Sequence, residues 1–399
     1  MRTKTVLISG AGVAGLTLAH WLTRHGFATT VVERAPALRD GGHAVDIRGA
    51  AREVAERMGV MTEVKQARVN WRGMSYVDDR GRRRAALPAE LFGTREDELE
   101  QIEIQRGDLV RIFHSVSREG VEYLFGDSIT GLEEIGAGVE VTFADSAPRV
   151  FDLVFGADGE RSRVRALTFG DETRIVREYP SYSAFFTIPQ QFDLNGWEQF
   201  CSLPGRRMAG IRPGLRGVNT KVLLSFAESE RYETRDIEEQ KRIVARKFAD
   251  ARWEIPQLLE SMKQADDFVF SRAVKVTMDR WSRGRVVLLG DAAWASFAGH
   301  GTTFAVVGAY LLAGELAAGD DYGSAFARYE EQLRRYVELG QQGPPGGEKM
   351  FLPTTKTGIR LRNLVMRTLP HMPWKSIIAS GAEKATSVPL KDYHTLIKG

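Results

Sequence analysis

Cysteine is almost missing from this sequence: Cys201 stands alone among 399 residues. That excludes an intramolecular disulfide and any cysteine-held zinc or iron–sulfur centre, and it suits a reducing cytoplasm. Cys201 lies in the apolar stretch between Phe200 and Leu203 and reads as a packed core thiol rather than a nucleophile. An excess of one charge is also lacking. The net charge is +3, too little to recruit nucleic acid. The basic run from Arg80 to Arg84 follows Asp78 and Asp79 and reads as a solvated hairpin tip. No apolar run reaches bilayer length. The longest, Phe304 to Ala318, contains Gly308, Gly314 and Glu315 and predicts a buried helix, so no stable membrane association is expected. The segment from Ile359 to Ile377 mixes apolar residues with Arg360, Arg362, Arg367 and Lys375 and is broken by Pro370 and Pro373. It is expected to pack against the body of the protein rather than lie on a membrane. The apolar N-terminus is interrupted by Gly10, Gly12 and Gly15 with no cleavage site after it, and reads as mature structure. No second histidine or carboxylate stands at metal-ligand spacing beside His300, so no metal site is expected.

What is present points to a globular enzyme-sized chain. With 43% apolar residues, 27% charged residues and 40 glycines, neither disorder nor a fibrous repeat fits, and the length suggests two domains or one domain with a large insertion. Residues 5–9, TVLIS, predict a strand buried on both faces. Gly10, Ala11, Gly12, Val13, Ala14 and Gly15 follow, then a helical pattern that stops at Gly26, then a second strand ending at Glu33 and Arg34. This is the dinucleotide-binding fingerprint. Its glycines permit a tight turn and close approach to a pyrophosphate, and the helix start supplies unpaired N–H groups and a favourable dipole. Glu33 is placed to accept hydrogen bonds from a ribose 2′-hydroxyl, which favours FAD or NAD over NADP as the resident dinucleotide.

Two later segments repeat the pattern of an apolar strand delivering an aspartate to a loop: Phe151 to Gly159, with Asp158 and Gly159, and Arg285 to Ala293, with Gly290 and Asp291. With these motifs the sequence resembles the flavin-dependent aromatic hydroxylases, the family of para-hydroxybenzoate hydroxylase and the tetracycline-degrading monooxygenases, over residues 4 to 340. The resemblance implies FAD as cofactor. It implies that Asp291 contacts the ribityl chain, that Arg106 opens a helix beside the flavin diphosphate, and that Arg48 lies near the isoalloxazine edge. The loop Phe297 to Thr303, with Gly301, Thr302 and Thr303, leads into the apolar helix and would turn its N–H groups toward the flavin. His300 is either a proton donor or acceptor there or a packing residue. The chain departs from the family at Trp294 to Phe297, where a shortened loop without proline replaces a longer one; Trp294 either fills a core gap or walls the flavin.

The expected fold class is α/β: a Rossmann-like FAD-binding domain (1–67, 105–172 and 273–340), an inserted, mostly antiparallel substrate domain (68–104 and 173–272), and C-terminal helices (341–399). Asn70 to Val77, Tyr182 to Ile188, Glu198 to Leu203, Arg207 to Ile211 and Lys221 to Phe226 are the candidate substrate-domain strands, with hairpins at Pro204-Gly205 and Pro213-Gly214. Tyr182, Phe185, Phe186 and Phe200 are candidate walls of a pocket for an aromatic or polycyclic small molecule. The implied activity is an NAD(P)H- and O2-dependent monooxygenation, hydroxylating or epoxidising through a flavin C4a-hydroperoxide. Because the cofactor carries this chemistry, no catalytic side chain is assigned. The alternatives are an FAD-containing cyclase with a structural flavin and a non-catalytic ligand-binding flavoprotein. A monomer or weak homodimer is expected.

Overall fold

The structure, a computed structural model, describes residues 4–38, 44–92, 102–214, 217–296, 300–319, 321–342, 352–372 and 386–393. The chain opens with β1 (Thr5–Ser9), α1 (Val13–Arg24), β2 (Ala28–Glu33) and β3 (Ala44–Ile47). Next come α2 (Ala50–Arg57), α3 (Met61–Gln66), β4 (Gly73–Val77), β5 (Arg83–Pro88), β6 (Ile102–Gln105) and α4 (Arg106–Ser117). The middle runs through β7 (Val121–Phe125), β8 (Ile129–Ile135), β9 (Gly138–Phe143), β10 (Arg149–Phe151), β11 (Leu153–Gly156) and α5 (Arg163–Phe169). After it lie β12 (Val176–Pro189), β13 (Trp197–Leu203), β14 (Arg207–Pro213), β15 (Asn219–Ala227), α6 (Ile237–Phe248), α7 (Ile255–Lys263) and β16 (Val269–Val276). The last third holds β17 (Ser282–Arg283), β18 (Val286–Leu288), α8 (Asp291–Trp294), α9 (Gly301–Ala318), α10 (Tyr322–Gly340) and α11 (Lys356–Thr368).

A six-stranded sheet in the order β17-β18-β11-β1-β2-β7 forms the first half of the fold. Its inner strands are parallel, so both faces must be covered and their residues run apolar without alternation. Val6, Leu7 and Ile8 are each fully buried. Helices α1 and α9 pack together on this sheet, with α10 behind α9. α9 is apolar on every side and almost wholly buried, the signature of a central core helix; it is long and apolar enough to cross a membrane, but the protein itself surrounds it.

The second half is a seven-stranded sheet, β16-β12-β15-β14-β13-β4-β5, antiparallel except where β4 runs parallel to β13. Here burial alternates along the strands, as expected of a sheet with two different faces. One face buries Ala184, Phe186, Val222, Leu224 and Phe226 against α6 and α7. The other carries Phe185, Leu223, Gly210 and Phe200, and α11 covers part of it through Arg362, whose guanidinium stacks 4.0 Å above Tyr76. The boundaries expected from the sequence cut through two strands: 104 and 105 both belong to β6, and β16 crosses residue 272 because its pairing with β12 continues to Val276. The short segment 386–393 returns to the first half, where Tyr393 packs on Gly314 and donates its hydroxyl to Glu315.

Candidate functional site

Backbone geometry shapes the site before any side chain does. Gly10 has φ +105°, and a Cβ there would stand 2.5 Å from the Ala157 carbonyl oxygen, so only glycine lets the β1–α1 turn pass against the β11–α5 turn. At Gly15 a Cβ would collide with the carbonyl of Gly10, which fixes the close approach of α1 to the turn. Gly12 is different: a Cβ there would meet nothing nearer than Arg106 Nη2 at 3.6 Å, which leaves open space in front of α1. No side chain caps α1, so its first-turn amides, including those of Ala14 and Gly15, face that space and make an anion site. Gly290, at φ +66°, brings the turn before α8 to Ala14, whose Cβ lies 3.1 Å from where a Gly290 side chain would begin.

Glu33 closes β2 beside this turn. Its two oxygens accept the N–H groups of Ala11 and Ala35, each at 2.9 Å. A carboxylate has about four lone-pair sites, so these bonds leave capacity for ribose hydroxyls. Arg34 beside it is exposed. Asp158, one of the expected cofactor contacts, bonds within its own loop: it accepts the Ser162 hydroxyl and the N–H groups of Arg163 at 2.8 Å and Val164 at 3.1 Å. It thereby caps the start of α5, and the sequence spacing had located the residue without its direction. Gly159 supplies the left-handed turn after it, φ +84°.

Asp291 and Arg106 face each other across the opening. Asp108 is taken by Arg111 and Glu103 by Arg212, so Arg106 acts on Asp291 and on Glu160. Asp291 opens on the cleft, yet protein encloses its carboxyl closely enough that burial raises it above the ordinary range, with Arg106 opposing. Its Oδ1 lies 3.4 Å from the position a side chain at Gly301 would take, which places it at the start of α9. Arg48 is paired with Asp46, and burial lowers its guanidinium to about 10. Burial and then Arg48 push His300 down to about 4, so its imidazole is neutral at pH 7. The His300 ring also packs beside Phe304 and Gly340, which gives it a packing role. Phe297, Ala298 and Gly299 lie outside the described residues.

Among the described residues, several buried polar atoms on these turns have no partner: Arg48 Nε, both amide atoms of Gln105, His300 Nδ1 and Thr303 Oγ1. Buried orphans of this kind are costly unless a ligand completes them. Together with the open cradle at Gly12 they fit a long polar cofactor such as FAD. Gln105, next to Arg106, and Glu160 were not anticipated from the sequence; a polar residue immediately before a helix start was the available signal for Gln105.

Beyond this cradle, the second sheet walls a cavity of about 160 Å³ lined by Phe185, Glu198, Gly210, Arg212, Lys221 and Leu223. Of the four aromatic candidates, Phe185 and Phe200 lie on this face, whereas Tyr182 and Phe186 face the helices. Tyr182 stacks on Phe226 and Phe270 there. The two-residue period of a strand decides this, since Phe185 and Phe186 must point oppositely. The charged wall was also not anticipated. Arg212 pairs with Glu103 and stands 3.9 Å from Glu198, and Lys221 stands 3.7 Å from Asp267. Its signal was a charge in phase with Gly210 and Phe200 on strands otherwise apolar. Trp294 lies elsewhere, in a core stack with Trp281, 4.5 Å between ring centres, and against Gly308. Cys201 is wholly buried, and burial raises its thiol to about 12, which suits a core residue.

A family profile described as FAD binding domain matches residues 3–337. An uncharacterized protein of Mycobacterium tuberculosis is 42% identical over 359 residues, covering 86% of this chain and 94% of that protein. A flavin-dependent monooxygenase of Legionella longbeachae is 33% identical over 340 residues, covering 84% of this chain and 87% of its own. Among solved structures, tetracycline destructase Tet(51) superposes with a TM-score of 0.82 at 30% identity, covering 98% of this chain and 100% of that one.

Proposed function

The chain belongs to the FAD-binding-domain family of flavin-dependent monooxygenases, and from that membership we propose that it oxygenates an aromatic or polyketide-like small molecule, using NAD(P)H as reductant and O2 as oxidant. Its setting would be secondary metabolism or drug inactivation. The observation that carries the reading is the ion pair between Glu103 and Arg212. It joins β6, which runs directly into Arg106 of the cofactor cradle, to the cavity wall on β14, so a molecule in the cavity lies beside the cradle. The likeness to a tetracycline destructase supports a polycyclic substrate.

Bound FAD supplies the electron storage and oxygen-transfer chemistry that the side chains lack. In this reading Gly10, Gly12, Gly15 and the α1 amides hold the pyrophosphate, Glu33 holds the ribose, and Asp291 and Arg106 hold the chain between phosphate and ring. The first-turn amides of Gly301, Thr302 and Thr303, which no side chain caps, would offer positive potential to a bound flavin. Phe185 and Leu223 would give a bound aromatic ring an apolar surface that excludes water. The cyclase alternative drew on the shortened loop and on Trp294 as a flavin wall, and a Trp294 stacked in the core removes the second of these supports.

The test is to give the purified yellow protein NADPH or NADH under isotopically labelled O2 with a panel of phenols and polyketides. The expected result is one compound that speeds NAD(P)H oxidation and gains one labelled oxygen atom. If no compound does either, the monooxygenase reading of this cavity fails.

A further inference from the structure

The charges around the cavity do not cancel. Among the described residues, Glu198 and Asp267 line it with Arg212 and Lys221, and Glu103 also draws on Arg212, so one carboxylate is in surplus. Asp108 also acts on Lys221, but Asp108 is itself paired with Arg111. Glu198 is the least satisfied of the carboxylates. At 3.9 Å from Arg212 it makes an ion pair too long for a hydrogen bond, and Arg212 is engaged more closely by Glu103. The Trp71 indole N–H lies toward Glu198 without reaching hydrogen-bond geometry. The Glu198 side chain is only 13% exposed, and it lines the cavity on the same sheet face as the apolar Phe185 and Leu223.

An enclosed carboxylate with its oxygens open to a cavity is a poor neighbour for a second anion and a good one for a cation, because the low-dielectric surroundings amplify both interactions. On the reading that this cavity is the substrate site, we infer that Glu198 selects aromatic substrates bearing a protonated amine and rejects aromatic carboxylates. The ring of such a substrate lies along Phe185 and Leu223, and its ammonium donates to Glu198. Arg212 holds the carboxylate in place without neutralising it, since Arg212 is shared with Glu103. Glu198 is thus a specificity-determining residue and takes no part in the oxygen transfer.

The experiment is calorimetric titration of the FAD-loaded protein with three probes of similar size: tyramine, para-ethylphenol and para-hydroxyphenylpropionate. Tyramine is expected to bind about tenfold more tightly than para-ethylphenol, one charge-assisted hydrogen bond, with the carboxylate weakest. In Glu198→Gln the amine and the neutral phenol should bind within about twofold of each other. Lys221→Met, which enlarges the surplus of negative charge, should widen the amine preference, and it decides the matter if Glu198→Gln does not fold. Tightest binding of the carboxylate, no heat from any probe, or a preference unchanged in both variants overturns the inference. Heat reports binding alone, so amine selectivity without oxygenation would count against the monooxygenase reading and leave the selectivity standing, whereas oxygenation without selectivity would do the reverse.

Discussion

At the scale of single residues, Asp291 and Gly10 test different things. Asp291 opens on the cleft facing Arg106, and no side-chain hydrogen bond engages it among the described residues, so its value lies in what it gives a ligand. Asp291→Ala should weaken FAD retention about ten- to a hundredfold, the worth of a charge-assisted hydrogen bond, seen as flavin absorbance lost from the purified variant. Full flavin occupancy would remove Asp291 from the cofactor contacts. Gly10→Ala tests crowding, because its Cβ would meet the Ala157 carbonyl in addition to the strain of φ +105°. Gly26, at φ +84° with nothing within 4 Å of a Cβ, carries the strain alone. Urea unfolding should show Gly26→Ala costing about 1 kcal/mol and Gly10→Ala about 2–3 kcal/mol more; equal losses would mean that the crowding relaxes. These glycines were legible in the sequence because the demand is on the backbone, which spacing encodes. The direction of Asp158 was not, since a side chain that can cap a helix or meet a ligand looks the same in one dimension. The Glu198–Arg212 wall was missed for a related reason: its signal is two in-phase charges on separate strands, and only their pairing brings those charges together.

At the scale of elements, α9 is the member on which most others depend. Its apolar run was readable as a buried helix, but its partners were not, because a helix apolar on all sides has no preferred face. One charge interrupts it. Glu315, buried on α9, accepts from Arg328, Gln332, Lys391 and the Tyr393 hydroxyl, so the segment 386–393 is fastened to the core helix. Burial alone would raise the Glu315 carboxyl, but these donors outweigh it and hold it near 2. Its folded value lies below the unfolded one, so its contribution is present above about pH 4.5 and is lost as pH falls toward 2. Glu315→Ala should free the segment at neutral pH, detected as faster proteolytic cleavage near Lys391; cleavage at the wild-type rate would show that ring packing of Tyr393 on Gly314 suffices.

At the scale of the whole molecule, acid sensitivity should begin well above the carboxylate range. Burial lowers His20, against a hydrogen bond to the Val116 carbonyl, and burial also lowers His300, both to about 4 from 6.5. The unfolded chain therefore binds more protons than the folded one between those values. Stability is full above pH 6.5 and falls as pH drops toward 4, and His20→Leu should flatten that slope in denaturant midpoints. A slope unchanged in the variant would mean that His20 is already charged in the fold. The class of fold was legible at this scale, and so was the strand that delivers Asp291, whereas its pairing with β11 was not, because that pairing joins segments far apart. β18 pairs with β11 and carries Asp291 to a cradle whose glycines lie at the other end of the sequence. During synthesis the first two-thirds of the protein must therefore leave the ribosome with one edge of β11 bare, a surface ready for wrong pairing. Nascent chains stalled before β18 should hold no flavin and should bind chaperones, and both conditions should end together once α9 has emerged.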